Sequence, residues 1–436
     1  MRKLPLADQL PYRFYPPRVQ PVWLWAARYY INYLMRKEQR VEQIEFSGTE
    51  HLLPLLASGD GVMITPNHPD HADCGVVFEL ARRVKRPFYY MAAYQIFTGI
   101  GRVGLPRIGV FPVDREGSDL TAFKTGVEVL TKAEHPLVIF PEGEIYYLSD
   151  RLTPLREGAA VLAATAAKRL ADAGKTVWIV PAAIKYRFLD GHDPLPAFHA
   201  LLDDLEAQFT WRRRPEQTLI ERIYRYAEGM LGLKELEYMG TTQTGLLKER
   251  IVNLRNHILD QIEDRRLGKR KIDAVPVRVK ELRRACLEAL ADAKTTPEEA
   301  EKVRHDLDDL FGVIQLFSYP GDYIRECPTV ERVAEIMMKL EEDCLNVDMP
   351  TPRGPRRAIL QLGPPIDVRA HIERAGGRLR NVGPALTTEL EARIQGLLDA
   401  IGPGRAIDLG SHASKPGPTS AQVPPESQPT LQSSSA

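Results

Sequence analysis

The sequence predicts an α/β fold, with a mixed central sheet flanked by helices and a long all-helical segment. Short apolar runs alternate with helix-length segments from residue 45 to about 188, a pattern typical of a layered α/β domain. From about 194 to 346, strand-like runs nearly vanish and helical patterns follow one another. A strand-like run returns at 357–366 and precedes a final helix at 387–401.

The apolar runs locate the strands, and the periodic segments locate the helices. Strands are predicted at 61–65, 87–92, 108–113, 137–140 and 177–186. Helices are predicted between them at 74–84, 118–131 and 157–173. Ser118 is the expected N-cap of the second helix, and Gly174 the stop signal of the third. The helical segment contains further patterns at 217–231, 245–266, 279–293, 297–316 and 330–345.

The N-terminal region contains an aromatic helix pattern at 22–35, which is too short to span a bilayer. Residues 1–40 contain eight Lys or Arg and two Asp or Glu. Trp and Tyr on a basic helix suit a membrane interface. The alternative is that this helix packs on the protein's own core, with Arg28 extending to solvent. Both interpretations stay open, whereas the Ser-, Pro- and Gln-rich residues after 403 predict a disordered tail.

Composition narrows the function classes. A chain of 436 residues suits two domains or one domain with a large insertion. Lys plus Arg and Asp plus Glu both number 58, so net charge gives no support to a nucleic-acid partner. The four cysteines are scattered without metal-ligand or disulfide spacing, which favours a reducing compartment. The N-terminus lacks the apolar core of a signal peptide.

The first motif is a His and an Asp five positions apart, His68 and Asp73, between a predicted strand and a predicted helix. A neutral imidazole can remove a proton from an attacking hydroxyl, and a carboxylate can orient that imidazole. Two alternatives exist: His68 and Asp70 could cap the helix, or residues 68–73 could hold a metal ion. The spacing is not that of common zinc motifs, and no second His/Asp cluster completes a metal site.

Three further segments, at 109–115, 138–144 and 177–183, bring chemically useful residues to strand ends, where α/β sheets bind ligands. Arg115 can clamp a phosphate, Glu142 can accept from a hydroxyl, and Gly143 allows close backbone approach. The sequence contains no Gly-x-Ser-x-Gly elbow and no Gly-rich phosphate loop after a strand.

These four segments, in this order, resemble the glycerolipid acyltransferase family that includes 1-acylglycerol-3-phosphate acyltransferases. The resemblance covers residues 45–190 and implies His68 as general base and Asp73 as its orienting partner. It further implies four acceptor-binding residues: Arg115 for a phosphate, Gly109 beside it, and Glu142 with Gly143. The implied donor is acyl-CoA or acyl carrier protein, with no metal or other cofactor.

The chain departs from the family pattern after Pro-Glu-Gly, where Glu144 and Ile145 replace the usual Thr-Arg. This replaces a cation near the expected phosphate with an anion, which Arg151 or Arg156 could offset. Pro112 in the second block suggests an edge strand or a bulge.

The family pattern also interprets the late strand and helix as the end of the same domain. The expected division is a membrane-interface segment at 1–44, a catalytic domain at 45–194 and 353–403, a helical insertion at 195–352 and a disordered tail at 404–436. Residues 359–362 should then lie in the same sheet as 177–183.

The resulting hypothesis is a phospholipid-biosynthesis O-acyltransferase that acts on a lysolipid acceptor such as 1-acylglycerol-3-phosphate. It would be cytoplasmic and peripheral on the inner face of the membrane, with no nucleic-acid partner; the sequence indicates no oligomeric state. The alternatives are a metal-dependent hydrolase that uses the His/Asp cluster, and a lipid-binding protein that kept this fold with impaired turnover.

Overall fold

The structure is a computed structural model that describes residues 12–115, 119–271 and 273–407. The strands are β1 Val41–Ser47, β2 Gly61–Pro66, β3 Tyr89–Ala93, β4 Val110–Val113, β5 Leu137–Val138, β6 Val177–Phe188, β7 Arg356–Leu362 and β8 Ile366–Asp367. The first six helices are α1 Pro21–Lys37, α2 Leu55–Ser58, α3 Asp73–Arg83, α4 Gly101–Arg107, α5 Leu120–Lys132 and α6 Gly158–Leu170. The remaining helices are α7 Leu195–Ala207, α8 Leu219–Met239, α9 Leu247–Arg266, α10 Val275–Ala291, α11 Pro297–Phe317, α12 Tyr323–Glu326, α13 Val330–Leu345, α14 Val368–Arg374 and α15 Leu379–Ile401.

The strands form one mixed sheet, which confirms the predicted α/β class. Its order is β1-β7-β6-β2-β5-β3-β4, with β8 paired to β6. Strands β2 to β6 run parallel to their neighbours among themselves, whereas β7 is antiparallel to β6. The carboxyl ends of β2, β4 and β5 therefore point to one edge of the sheet. Pro112 lies on β4, the last strand of the sheet, where a missing N–H is tolerated.

Each face of the sheet is covered by helices. One face packs with α5, α6 and α15, and the other with α1 and α3. Strand β2 is buried along its whole length because both of its faces are covered. The residues that follow β2 thus start from a rigid, central position.

The helical segment lies between two neighbouring strands. Helices α7 to α13 follow β6, and the chain then returns to the sheet as β7. Strand β7 pairs with β6 from Ala182–Leu362 to Phe188–Arg356, so residues 359–362 lie in the same sheet as 177–183, as expected. The helices have an apolar core of their own, to which Tyr146 of the α/β part contributes. The proposed division into domains stays a prediction.

Several elements differ from the expectation. Strand β1 was not predicted. It crosses the expected boundary after residue 44, and exposed charged residues interrupt its apolar pattern. Helices α4 and α7 were also missed. Strand β5 has two residues, because the chain leaves the ladder after Val138. Ser118 lies outside the described residues, and Asp119 caps α5 by accepting from the Ala122 N–H. Gly174 ends the third helix with φ +71°, as expected.

The N-terminal helix α1 has both faces that the sequence suggested. Met35 is buried against Gly75 of α3, so one face packs on the protein's own core. Trp25, Tyr29 and Tyr30 are each more than half exposed on the other face. No helix in the described ranges has the length and apolarity needed to cross a membrane.

The structure describes only residues 404–407 of the expected disordered tail. Residues 404–407 are ordered: Ala406 forms an antiparallel bridge with Thr329, and the Arg405 N–H donates to Glu331 (2.8 Å). Residues 405 and 406 therefore pair with the helical segment, and the predicted disorder of the tail stays a prediction. Residues 408–436 lie outside the described residues.

A buried carboxyl at the junction between the helices and the sheet domain should make stability depend on pH. Glu335 of α13 accepts hydrogen bonds from Tyr323 Oη (2.6 Å) and from Ser149 Oγ. Burial, reinforced by the charge of Asp150, raises the pKa of Glu335 from 4.5 to about 8. Between these values the folded protein holds a proton that the unfolded chain has lost. This contribution to stability is thus full below the unfolded pKa and lost as pH rises through the folded pKa.

The variant Glu335→Gln removes this titration. The free energy of unfolding of the wild type should fall, relative to that of the variant, as pH rises from about 4.5 to about 8, by at most about 1.4 kcal/mol per pH unit. Urea denaturation of both proteins across this range measures the difference. A difference that is independent of pH would contradict the assignment.

Candidate active site

His68 and Asp73 lie at the corner where the buried strand β2 turns into α3. Asp73 is the first residue of α3, and residues 67–72 make the turn. His68 Nδ1 is 2.7 Å from Asp73 Oδ2, so the contact that the spacing predicted is present. Asn67 fastens the turn to β6: its side chain donates to Ile184 O (3.1 Å) and accepts from Ile184 N (2.7 Å).

Asp73 is held in place by three donors besides its burial. Its Oδ2 also accepts from the Asp70 N–H (2.9 Å), and its Oδ1 accepts from Tyr186 Oη (2.6 Å). Burial raises the pKa of Asp73, while the bonds from His68 and Tyr186 oppose that rise. Tyr186 was not predicted as a site residue. It stands in a predicted strand, and no local pattern distinguishes its hydroxyl from that of another strand tyrosine.

The His68 ring is positioned on both sides. It stacks on Phe140 with ring centroids 4.2 Å apart, and its Nδ1 faces Asp73. The Nε2 atom forms no hydrogen bond with the described part of the chain, and the side chain is 16% exposed. A carboxylate on Nδ1 favours the tautomer with its proton on that nitrogen. Nε2 is then left with a lone pair that can accept a proton from a substrate.

Glu142 lies beneath the motif. Its Oε1 accepts from the His68 N–H (2.7 Å), and its Oε2 accepts from the Thr153 N–H (3.1 Å) and hydroxyl. The side chain is 3% exposed, and burial raises its pKa. Both carboxylate oxygens are engaged, so this geometry supports a role in positioning His68 more than the expected contact with an acceptor hydroxyl.

Gly143 makes a close approach that a larger residue would prevent. Its φ is +80°, and a Cβ there would lie 2.5 Å from Arg156 Nε. Its carbonyl oxygen accepts from Arg115 Nη1. The Pro-Glu-Gly turn is thereby linked to the residue that ends the second block.

Arg115 and Glu144 form an ion pair, with Nη1 3.0 Å from Oε2. Burial alone would raise the pKa of Glu144, but the charges of Arg115, Arg156 and Arg283 lower it overall. Arg283 belongs to α10, so the helical segment contributes a cation near this turn. Of the two arginines that could offset the anion at Glu144, only Arg156 borders the Pro-Glu-Gly turn, at Gly143. Arg151 instead pairs with Asp322 (3.0 Å) in the helical segment.

Gly109 does not join the other predicted residues. It precedes β4, at the opposite end of that strand from Arg115, and has φ +91°. A Cβ at this position would lie 2.7 Å from Phe88 O. The glycine therefore allows β3 and β4 to approach, and its position gives no support to a contact with an acceptor phosphate.

Asp70 forms a buried ion pair with Arg356 at the start of β7, with Oδ2 2.7 Å from Nη1. Burial would raise the pKa of Asp70, but the adjacent guanidinium lowers it overall. The same guanidinium lies 4.6 Å from the centre of the Tyr186 ring. Within residues 12–115, 119–271 and 273–407, no group of three or more His, Cys, Asp or Glu side chains is arranged to hold a metal ion.

The α/β sheet presents a His–Asp pair, a Pro-Glu-Gly turn and an arginine at one edge, which are the features that the resemblance to acyltransferases implied. Residues 43–185, about a third of the chain, match the family model described as Acyltransferase, which supports the resemblance of this domain to the glycerolipid acyltransferase family. A stretch of 86 residues is 33% identical to 1-acyl-sn-glycerol-3-phosphate acyltransferase of Streptococcus pneumoniae. It covers 20% of this chain and 31% of that protein, so the match spans about a third of its length.

Proposed function

We propose that the protein transfers an acyl chain from acyl-CoA or acyl carrier protein to the hydroxyl of a lysophospholipid, with 1-acylglycerol-3-phosphate as the first candidate. The observation that carries the proposal is the oriented His68–Asp73 pair, whose Nε2 is open to a substrate. The match of the domain to an acyltransferase family supports the reaction class.

The proposed chemistry is a direct transfer. His68 Nε2 takes the proton of the acceptor hydroxyl while its oxygen bonds to the thioester carbonyl carbon. The carbon–sulfur bond then breaks, and the imidazolium returns the proton to the leaving thiolate. Asp73 stabilises the imidazolium and fixes its orientation. The transfer requires neither an acyl-enzyme intermediate nor a redox partner.

The deciding assay measures transfer from labelled acyl-CoA and acyl carrier protein to several lysophospholipids and to neutral alcohols. Transfer to a lysophospholipid that a chelator does not reduce supports the proposal. Turnover that depends on added metal would favour the hydrolase alternative. Binding of lysolipid with no transfer to any acceptor would favour the lipid-binding alternative, which the anion at Glu144 suggests.

Arg115 should bind the acceptor phosphate. Replacing it in Arg115→Gln should raise KM for 1-acylglycerol-3-phosphate by roughly 10- to 100-fold, the usual cost of one hydrogen bond to a charged group. KM for a monoacylglycerol, which has no phosphate, should change little. Glu144→Gln should lower KM for the phosphate acceptor because it releases Arg115 from its ion pair.

The matched control is Arg151→Gln. Arg151 is also an arginine of this region, but its guanidinium is paired with Asp322 and Glu326. Its KM values should equal those of the wild type. Equal effects of Arg115→Gln on both acceptors would show that Arg115 does not read the phosphate.

We further propose that α1 docks on the membrane surface. Trp25 and Tyr30 are 62% and 63% exposed, and Ile100 beside α4 is 82% exposed. Helix α4 touches α1, and Arg107 lies 5.2 Å from the Trp23 ring centre, so the two helices form one surface with aromatic, apolar and basic groups. Such exposed apolar groups mark interaction sites.

Acidic residues in place of the exposed aromatic side chains of α1 should release the protein from lipid. The double variant Trp25→Glu/Tyr30→Glu should lower partition onto anionic liposomes at least about tenfold, since burial of each large side chain contributes roughly 1.5–3 kcal/mol. Flotation measures the partition. The control Leu236→Glu changes a residue of α8 that is 48% exposed and should have no effect. Unchanged flotation of the double variant would exclude α1 as the anchor.

A further inference from the structure

An apolar cavity of about 320 Å³ lies inside the helical segment, between α8, α9, α11 and α13. Its apolar wall includes Phe209, Ile223, Leu231, Ile251, Leu316 and Leu340. Protein interiors are close-packed, and voids larger than a water molecule are few. A space of this size in a helical core is thus more than a packing defect.

The cavity suits an apolar ligand. Small-molecule pockets typically measure about 300–1,000 Å³, and a dry cavity of about 150 Å³ already binds benzene. We propose that this cavity binds a long-chain acyl group. The chemical class rests on the proposed acyl-transfer function. The chain could belong to the thioester donor, to the lysolipid acceptor or to a free fatty acid.

The polar groups of the wall favour a hydrocarbon chain over a polar ligand. Asp343 is buried, and its carboxylate already accepts from Gln315 Nε2 (2.8 Å), Tyr319 Oη (2.8 Å) and Lys339 Nζ (3.0 Å). Among the described lining residues, Gln315 Oε1 is the one buried side-chain oxygen or nitrogen without a hydrogen-bond partner. Most of the remaining lining residues are apolar, so the wall suits a hydrocarbon chain more than a polar molecule.

The cavity wall is continuous with the segment that follows the Pro-Glu-Gly turn. Leu316 lines the cavity, and the next residue, Phe317, packs edge-on against Tyr146 with ring centroids 5.6 Å apart. Tyr323 also lines the cavity, and its hydroxyl accepts from the Asp150 N–H (3.1 Å). A chain in the cavity would therefore contact the helices that fix residues 146–150.

The first test is equilibrium displacement of a fluorescent fatty acid from the full chain. The competitors are saturated fatty acids of increasing length, palmitoyl-CoA and 1-palmitoylglycerol-3-phosphate, which separate the three sources of the chain. Affinity for the fatty acids should rise roughly fourfold per added methylene until the cavity is full, and then level off. Absence of displaceable binding would overturn the proposal.

Variants locate the binding. Ala227→Phe and Met230→Trp place bulk in the cavity and should weaken palmitate binding at least tenfold. Leu233→Phe is the control, since Leu233 is 47% exposed on the same helix and outside the wall. Binding that both cavity variants leave intact would overturn the proposal.

Two further measurements keep the result separate from folding and from catalysis. Palmitate with a photoreactive group should label peptides of α8, α9, α11 or α13 in the wild type, and labelling confined to residues 43–185 would contradict the cavity. His68→Ala should bind palmitate as the wild type does. Normal cavity binding by a wild type that transfers no acyl chain would overturn the proposed function and leave this site in place.

Discussion

His68→Ala is expected to lower the rate of acyl transfer by roughly 10²- to 10⁴-fold, the usual contribution of a positioned general base. The side chain that would accept the hydroxyl proton is then gone, while the packing around Asp73 loses only a partly exposed ring. The measurement is kcat/KM for a lysophospholipid with labelled acyl-CoA, at the pH optimum of the wild type. KM should change less than kcat because the proposed contact with the acceptor phosphate is made by Arg115, not by His68.

The matched control is His305→Ala. His305 has a 73% exposed side chain on α11 and should leave kcat/KM unchanged. Asp73→Asn gives the second arm: an amide cannot stabilise the imidazolium, so kcat should fall while the fold is retained. Full activity of His68→Ala would contradict the general-base mechanism, whatever the result for His305→Ala.

Arg356→Ala is expected to lower the free energy of unfolding by about 3–5 kcal/mol, the typical effect of removing one partner of a buried ion pair. Arg356 is 4% exposed, and no other Lys or Arg of the described residues forms an ion pair with Asp70. The variant leaves the Asp70 carboxylate buried without its counter-charge, directly beside the His68 turn. Chemical denaturation measures the loss, and kcat should fall with it because the Asp70 N–H orients Asp73.

The neighbouring residue supplies the control. Arg357 pairs with Glu45 at the surface, and an exposed pair contributes about 0–1 kcal/mol, so Arg357→Ala should cost little. Adding Asp70→Asn to Arg356→Ala should recover part of the lost stability, because the orphaned charge disappears. Equal losses in Arg356→Ala and Arg357→Ala would show that the buried pair has no special importance.

The predictable part of the fold is the part encoded by local patterns. The strands that became β2, β3, β4 and β6 were located to within a few residues, because each is a short apolar run between turn signals. Strand β1 was not predicted because it is an edge strand with one exposed side, so its apolar pattern is weak. Resemblance to the family, not periodicity, placed β7 in the same sheet as β6.

The contacts of the candidate active site likewise divide into those that local spacing predicts and those that it does not. The contact between His68 and Asp73 could be predicted because the two residues are five positions apart across one turn. Tyr186 and Arg356 could not be predicted, since they reach the motif from strands 113 and 286 residues away. The catalytic and binding roles of these residues stay predictions for the experiments above.

The sequence by itself determined the α/β class, the order of the four motif blocks and the family that they indicate. These features depend on residue type and on short spacings, which a linear chain displays directly. Only the tertiary structure decided that Arg156 rather than Arg151 borders the Pro-Glu-Gly turn, that Glu142 supports His68, and that Asp70 pairs with Arg356. Such partners are chosen by which surfaces meet when distant segments pack, and the strength of each contact comes from burial that no local pattern encodes.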